Sequence, residues 1–107
     1  MSDSTIDAPR FHGHQVRDVT GNEVGTITDV VYSQGTMQPR WGVVNPGRLK
    51  APHYVPLVPP AYMSDSGAVV VPYDKRVILQ APKARGQHVL TPQVERELEA
   101  HYCVSHG

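Results

Sequence analysis

Histidine and cysteine are the residues of this chain that first suggest a chemical function. The 107 residues include six histidines and one cysteine. His12 and His14 are two positions apart, so on a strand both imidazoles would point to the same face, as two metal ligands can. No cluster of Cys, Asp or Glu stands beside them to complete a four-ligand set. We therefore expect no metal site and no cofactor.

Groups for acid, base or nucleophilic catalysis are also poorly placed. A nucleophile needs an activating base in a pocket. Cys103 has His101 and His106 near it, but neighbours two or three positions apart at a helix end do not form an oriented pair. The aspartates fall in turns or at strand ends, where a carboxylate usually caps its own backbone; they are Asp18, Asp29, Asp65 and Asp74. The sequence thus predicts a protein that is not an enzyme.

Charge is balanced over the whole chain but unevenly distributed along it. Ten basic and ten acidic side chains cancel, which removes a global attraction for nucleic acid or anionic lipid. Residues 38–90 nevertheless carry a net charge of plus five, whereas the first 37 residues carry minus three and the last 17 minus two. This middle segment predicts a modest basic face, although a scattered, solvated surface gives the same excess.

The length and the N-terminal sequence predict one domain in the cytoplasm. A chain of 107 residues suits a single hydrophobic core. The first residues, MSDSTIDAPRFHGH, lack the apolar stretch of a signal peptide, and no run approaches the about 18 apolar residues of a membrane span. We expect residues 1–12 to form a flexible arm and residues 13–107 to form the folded domain.

Short strands follow one another through the first three quarters of the sequence. In EVGTITDVVYS, residues 23–33, seven of the eleven residues are Val, Ile, Thr or Tyr, which favour a pleated strand, and Gly25 can host a bulge. Further strands are expected at HQVRDV before it and at RWGVVN, HYVPLV, Val69 to Val71 and KRVILQAP after it; in the last, Val77, Leu79 and Ala81 alternate. With no helix between them, these segments predict a mainly β fold, a small antiparallel β-barrel of about six strands.

The last segment has a helical pattern instead, over about residues 91–103. Thr91 is a suitable N-cap and Pro92 a suitable first helical residue. One stripe of this predicted helix carries Val94, Leu98, His101 and Tyr102, and the other side carries Glu95, Arg96, Glu97 and Glu99. The apolar stripe must be buried, either on the open end of the barrel or on a second subunit.

The order of these segments resembles the PRC-barrel family, named for the H subunit of the photosynthetic reaction centre. The resemblance is carried by VRDVTGNEVGTITDVVYS, QPRWGVVNPG, YVPLVPPAYMSDSGAVVVPYDKRVILQAP and LTPQVERELEAHY, and covers about residues 14–103. It implies a partly open six-stranded barrel that acts as a binding or adaptor module without chemistry of its own. The fold serves unrelated partners, so the partner is not implied.

Two sets of residues are expected to mediate protein association. We expect a protein partner at the NPGRLKAPH loop and adjacent strand edges, with Arg40, Arg48, Lys50 and His53 as binding residues. We expect self-association as a homodimer through Val94, Leu98 and Tyr102 of the helix. The alternative is a ribosome- or RNA-associated factor that uses the basic segment 38–90, and it requires an exposed Trp41 for base stacking.

The proline-rich run HYVPLVPP, residues 53–60, has two possible meanings. Pro56 and Pro59 have the PxxP spacing of a docking peptide, but Tyr54, Val55 and Leu57 beside them need burial. Proline cannot donate to a strand ladder. We therefore expect Pro56 to mark an edge strand or a bulge within the fold.

Overall fold

Seven strands and two α-helices form the described part of the chain. The computed structural model describes residues 8–47, 50–58 and 61–102. A 3-10 helix (Ala8–Phe11) comes first. The other elements are β1 (Gln15–Arg17), β2 (Glu23–Ser33), β3 (Pro39–Asn45), β4 (His53–Pro56), β5 (Tyr62–Met63), β6 (Val69–Val70), α1 (Lys75–Leu79), β7 (Val89–Leu90) and α2 (Pro92–Tyr102).

The strands form one open, curved succession around β2. Their order is β4-β3-β2-β1-β6-β5, and β7 pairs separately with β2. Thr26 pairs with both β1 and β3, and Tyr32 with both β3 and β7, so β1 and β7 lie along the same edge of β2. Among the described strands the sheet does not close, and β4 and β5 are its ends. The predicted fold class, mainly β and partly open with one C-terminal helix, is confirmed.

Two features of the sheet differ from the antiparallel arrangement that the sequence predicted. β1 pairs with β6 in parallel, and β2 pairs with β7 in parallel. Both pairings join segments that are far apart in sequence, and β6 and β7 have only two residues each. Such short, long-range pairings leave little periodic signal, because two residues cannot show an alternation.

The segment KRVIL was predicted as a strand, and this was wrong, because the structure shows α1 there. Asp74 is the N-cap, and its carboxylate accepts a 2.8 Å hydrogen bond from the backbone N–H of Arg76. The fully buried residue of α1 is Ile78, which the predicted alternation placed on the opposite side from Val77 and Leu79. A one-turn helix with a capping aspartate therefore replaces the expected sixth strand.

The residues before β1 also differ from the expected flexible arm where the structure describes them. Ala8–Phe11 is a 3-10 helix, and the ring of Phe11 lies in the core with 4% of its surface exposed. The backbone N–H of Gly13 donates to the carbonyl of Ile27 over 2.8 Å. Ordered structure thus begins earlier than residue 13, and residues 1–7 of the predicted arm lie outside the described residues.

The core fills the inside of the curved sheet and includes the aromatic residues of β3 and β4. Trp41 and Tyr54 each expose 1% of their surface, and Ile27, Val55 and Leu57 expose 1% or less. β4 is an end strand of the sheet, which confirms the edge position predicted from Pro56. Pro59 lies outside the described residues.

The C-terminal helix begins as predicted and packs on the barrel. The N–H of Val94 donates to the hydroxyl of Thr91, 3.3 Å away, as an N-cap requires. α2 ends at Tyr102, and Cys103 lies outside the described residues. Among the described residues, no helix has both the length and the apolar character needed to cross a membrane.

Gly25 is a position where the sheet requires glycine. A Cβ atom built on Gly25 would lie 2.2 Å from the carbonyl oxygen of Asn45, which is a backbone atom and cannot turn away. We expect Gly25→Ala to lower the free energy of unfolding by about 1–3 kcal/mol, because β2 and β3 must separate locally. Urea denaturation measures the change. Gly35→Ala is the matched control, since a Cβ there meets no atom within 4 Å; an equal loss in both variants would contradict the explanation.

Candidate partner-binding groove

A buried carboxylate joins α2 to the sheet. Glu95 on α2 exposes 7% of its surface. Its carboxylate accepts hydrogen bonds from the Ser33 hydroxyl at 2.6 Å and from the Trp41 indole N–H at 2.9 Å. The Arg40 guanidinium lies 3.4 Å from the same carboxylate. The sequence placed Glu95 and Glu99 on the side of the helix opposite the apolar stripe, yet Glu99 is also buried, with 7% of its surface exposed.

Arg40 is held between these two glutamates, although it was predicted to bind a partner. Its guanidinium lies 3.4 Å from Glu95 and 3.7 Å from Glu99, and the Arg40 side chain is 18% exposed. A charge-assisted contact in a partly desolvated site is stronger than one on the open surface. Arg40 therefore acts first as a counter-ion that makes the burial of the α2 carboxylates tolerable.

Leu98 and Tyr102, two of the residues predicted to mediate self-association, are covered by their own chain. Leu98 is fully buried, and Tyr102 is 4% exposed. The Tyr102 hydroxyl donates to the backbone carbonyl of Tyr54, and its ring lies 4.8 Å from that of Tyr73 between centroids. Burial raises the pKa of Tyr102 far above its usual range, and the charge of Tyr73 adds to the rise. Of the three predicted residues, Val94 alone is partly exposed.

His53, predicted as a binding residue, has a structural contact instead. Its ring is 7% exposed, and Nδ1 donates to the carbonyl of Ala81 over 2.7 Å. Lys50 is exposed at the end of the preceding loop, while Arg48 lies outside the described residues. The four residues predicted for partner binding are therefore not brought together as one exposed surface by the part of the chain that the structure describes.

The segment that His53 supports, residues 81–85, runs along the outer edge of β4. Lys83 forms an isolated antiparallel bridge with His53. The N–H of Ala84 donates to the carbonyl of Pro52 at 2.9 Å, and the N–H of Arg85 donates to the Tyr54 hydroxyl at 3.4 Å. These contacts fix a backbone that has no regular secondary structure of its own.

A groove of about 480 Å³ lies between this segment and α2; we call it the α2 groove. Its apolar surface comes from Ala81 and Pro82 on one wall and from Val94 on the other. The Tyr54 hydroxyl reaches the groove and donates to Oε1 of Gln87, 3.0 Å away. Both walls are anchored to the sheet, one through His53 and Tyr54 and the other through the buried side of α2.

Charged side chains surround the apolar surface of the α2 groove. Lys83 and Arg85 stand on one wall and Glu97 on the other, and all three are exposed. In the described part of the chain, none of the three takes part in an ion pair, which distinguishes them from Arg40. The structure thus places two uncompensated cations and one carboxylate around a small apolar surface.

A second, larger groove of about 610 Å³ is mostly polar. It lies between the turn after β1, the start of β2, Pro46 and Lys75. Asp18, which is 1% exposed, organises that turn, since its carboxylate accepts four hydrogen bonds from Thr20, Asn22 and Lys75. Burial by itself would raise the pKa of Asp18, but these donors stabilise the carboxylate more strongly and lower its pKa to about 2. This confirms the capping role predicted for Asp18.

The described histidines have separate backbone or side-chain partners. His12 lies 3.1 Å from the carbonyl of Thr28, His14 2.8 Å from that of Gly67, and His101 2.7 Å from that of Val77. Within the described ranges, no three side chains of His, Cys, Asp or Glu are grouped so that they could hold a metal ion. His101 has the packing role that its place on the helix predicted.

A comparison with protein families now assigns the fold. The sequence matches the family model of the PRC-barrel domain over residues 4–93. The chain belongs to the PRC-barrel family. No curated protein matches the sequence. PRC-barrel domains are generally non-catalytic and often mediate protein interactions.

The PRC-barrel match also divides the α2 groove into two parts. Tyr54 and the wall of residues 81–87 lie within the matched region, whereas Val94, Glu97 and nearly all of α2 follow its end at residue 93. The groove is therefore lined both by residues of the matched region and by residues of α2 that follow it. The groove could not be predicted from the sequence, because its position depends on the burial of Glu95 on α2. One signal was present, since the helical spacing of Glu95, Leu98, Glu99 and Tyr102 places them on one side of the helix, which is the side that is buried.

The contact between Glu95 and the barrel can be tested by removing its charge. We expect Glu95→Gln to lower the free energy of unfolding by about 1–3 kcal/mol, because the amide replaces one of the two accepting oxygens by an NH₂ group and leaves Arg40 with Glu99 as its remaining counter-ion. Indole fluorescence of the single Trp41 reports both the loosened contact and the denaturation midpoint. Glu97→Gln, two positions along the same helix and exposed, should change stability by less than about 0.5 kcal/mol. Equal effects would show that burial of Glu95 is not responsible.

Proposed function

We propose that this PRC-barrel protein is a non-catalytic module that associates with another protein through the α2 groove. The observation that carries the proposal is a groove with two anchored walls, an apolar surface and cations that lack partners in the described chain. Surfaces that are fixed before binding lose little conformational entropy when a partner docks. The cytoplasmic location and the domain bounds of residues 13–107 remain predictions.

The groups in the α2 groove favour binding over chemistry. The Tyr54 hydroxyl is engaged by Gln87 and by the N–H of Arg85. The remaining polar groups that line the groove are Lys83, Arg85 and Glu97, all exposed to solvent. A catalytic base and nucleophile would need mutual contact in a desolvated pocket, and these side chains offer a charged rim instead.

The aromatic residues that an RNA-associated factor could use for base stacking are buried. Trp41 and Tyr54 are each 1% exposed, so neither ring is available to stack on a base. Arg40, the cation next to Trp41, is paired with Glu95 and Glu99. The exposed Trp41 that this alternative requires is absent, and we favour a protein partner.

Self-association is the second proposed property, and it needs a surface other than the stripe of α2. Val19 and Tyr62 expose 59% and 55% of their surfaces, beside a small apolar groove that Val70 and Pro72 also line. Tyr62 belongs to β5, an end strand of the described sheet. The backbone N–H of Ser64 donates to the carbonyl of Ala68 on the neighbouring strand. Because successive residues of a strand direct their backbone N–H and C=O groups to opposite edges, those of Met63 point away from β6. Such an edge can pair with its own copy about a two-fold axis.

Affinity capture from the native cell, followed by mass spectrometry, tests the partner. We expect the wild-type protein to retain a partner that Val94→Asp loses, because this change places a charge on the apolar surface of the groove. Gln93→Asp is the control, since it adds the same charge to an exposed neighbour in the same helix turn. Replacing Arg48 and Lys50 together by Glu should weaken capture, as the basic loop predicts. Retention by Val94→Asp equal to that of the wild type would move the site elsewhere.

Sedimentation velocity tests self-association. We expect a dimer at micromolar concentration that Tyr62→Lys converts to a monomer, because a charge at the paired edge prevents a second strand from approaching. Gln34→Lys, which adds the same charge on the exposed turn between β2 and β3, should leave the dimer intact. A wild-type protein that sediments as a monomer would refute this part of the proposal.

A further inference from the structure

The charges around the α2 groove define the kind of segment it fits. Lys83 and Arg85 extend from one wall and make no ion pair within the described residues. Two cations on one wall attract an acidic partner.

Glu97 on the opposite wall restricts where the acidic groups of a partner can lie. A carboxylate close to α2 would be repelled by Glu97, whereas a carboxylate over residues 83–85 would meet two cations. An acidic segment is thereby oriented along the 81–85 wall, parallel to the edge of β4. Charge sets this orientation and the association rate more than the total affinity.

The apolar surface and the polar group at the base of the groove supply the other contacts. Val94 is half-buried and faces Ala81 and Pro82 across the groove. A volume of about 480 Å³ admits a side chain together with a short stretch of backbone rather than a folded domain. Oε1 of Gln87 accepts from Tyr54, and its Nε2 group is a second polar group that can donate to an incoming carbonyl.

From these observations we infer that the α2 groove binds an extended acidic segment of a partner protein, with one apolar side chain of that segment seated against Ala81, Pro82 and Val94. The inference rests on the proposed function of protein association and specifies its partner. The acidic residues flanking the apolar one lie over Lys83 and Arg85, and Gln87 donates to the backbone of the segment. Glu97 repels carboxylates that lie towards α2, so the acidic residues of the segment turn to the 81–85 wall.

A peptide titration monitored by NMR tests the inference. The probe is the acetylated, amidated peptide Ser-Glu-Asp-Leu-Glu-Asp-Ser, added to isotope-labelled full-length protein. We expect the backbone amide signals of Gln87, Val94 and Glu97 to shift and to saturate. Replacing the leucine by glycine, or the acidic residues by lysine, should abolish the shifts, because either change removes one of the two features that the groove recognises.

Charge variants of the protein give readouts of opposite sign. Lys83→Glu and Arg85→Glu should each raise the Kd of the acidic peptide about three- to tenfold, since each replaces an attraction at the rim by a repulsion. Glu97→Lys should lower the Kd, a gain that a damaged fold would not produce. Arg76→Glu is the matched control, because its side chain is 88% exposed on α1 and does not line the groove. Added salt should weaken binding of the wild type.

The possible results separate the inference from the proposed function. Shifts confined to other surfaces, or a Kd unchanged by Lys83→Glu and Arg85→Glu, would overturn the inference, while a captured partner lost by Val94→Asp would still support the function. Failure to capture any partner would overturn the function. A single-stranded oligouridine that shifts the groove signals when the acidic peptide does not would show that the surface serves nucleic acid and would also overturn the inference.

Discussion

The carboxylate of Glu95 determines where the C-terminal helix lies, and the outer surface of the protein follows from that position. A buried carboxylate is costly unless its charge is compensated and its oxygen atoms accept hydrogen bonds. Ser33 and Trp41 provide the donors, and Arg40 provides the charge. Because the donors belong to β2 and β3, the helix can meet these requirements in one orientation. Apolar packing by Leu98 and Tyr102 adds stability, but it is less directional than these contacts.

This orientation decides which residues remain for partners. The side of α2 that carries Leu98 and Tyr102 is buried by the chain itself, so the helix does not need a second subunit to cover it. Val94 and Glu97 are left beside the segment of residues 81–87, which His53 and Tyr54 hold against β4. The α2 groove is thus the space between two separately anchored pieces of chain. Polar contacts inside the fold set its walls, and exposed charges set what it attracts.

The sequence predicted most of the β architecture and the limits of α2, because these rest on local signals. Branched residues identified β2, Thr91 and Pro92 identified the helix start, and Pro56 identified an edge strand. Asp74 was recognised as a capping residue, yet α1, the helix that it caps, was predicted as a strand. A segment of five residues is too short to distinguish the alternation of a strand from the spacing of one helical turn. The choice depends on the tertiary contact that buries Ile78.

The partner surface was harder to predict, because a charged residue can be buried and paired in the folded chain. Arg40 and Lys83 are both cations in the basic segment 38–90, but Arg40 lies opposite two glutamates that follow it by more than fifty residues. No property of the local sequence distinguishes a cation with a distant counter-ion from one without. Lys83 and Arg85 have no counter-ion in the described chain, so part of the positive charge predicted for the segment lies at the α2 groove. A cation can attract a partner only where folding leaves its charge uncompensated, and Lys83 and Arg85 on the wall beside α2 meet that condition in the described chain.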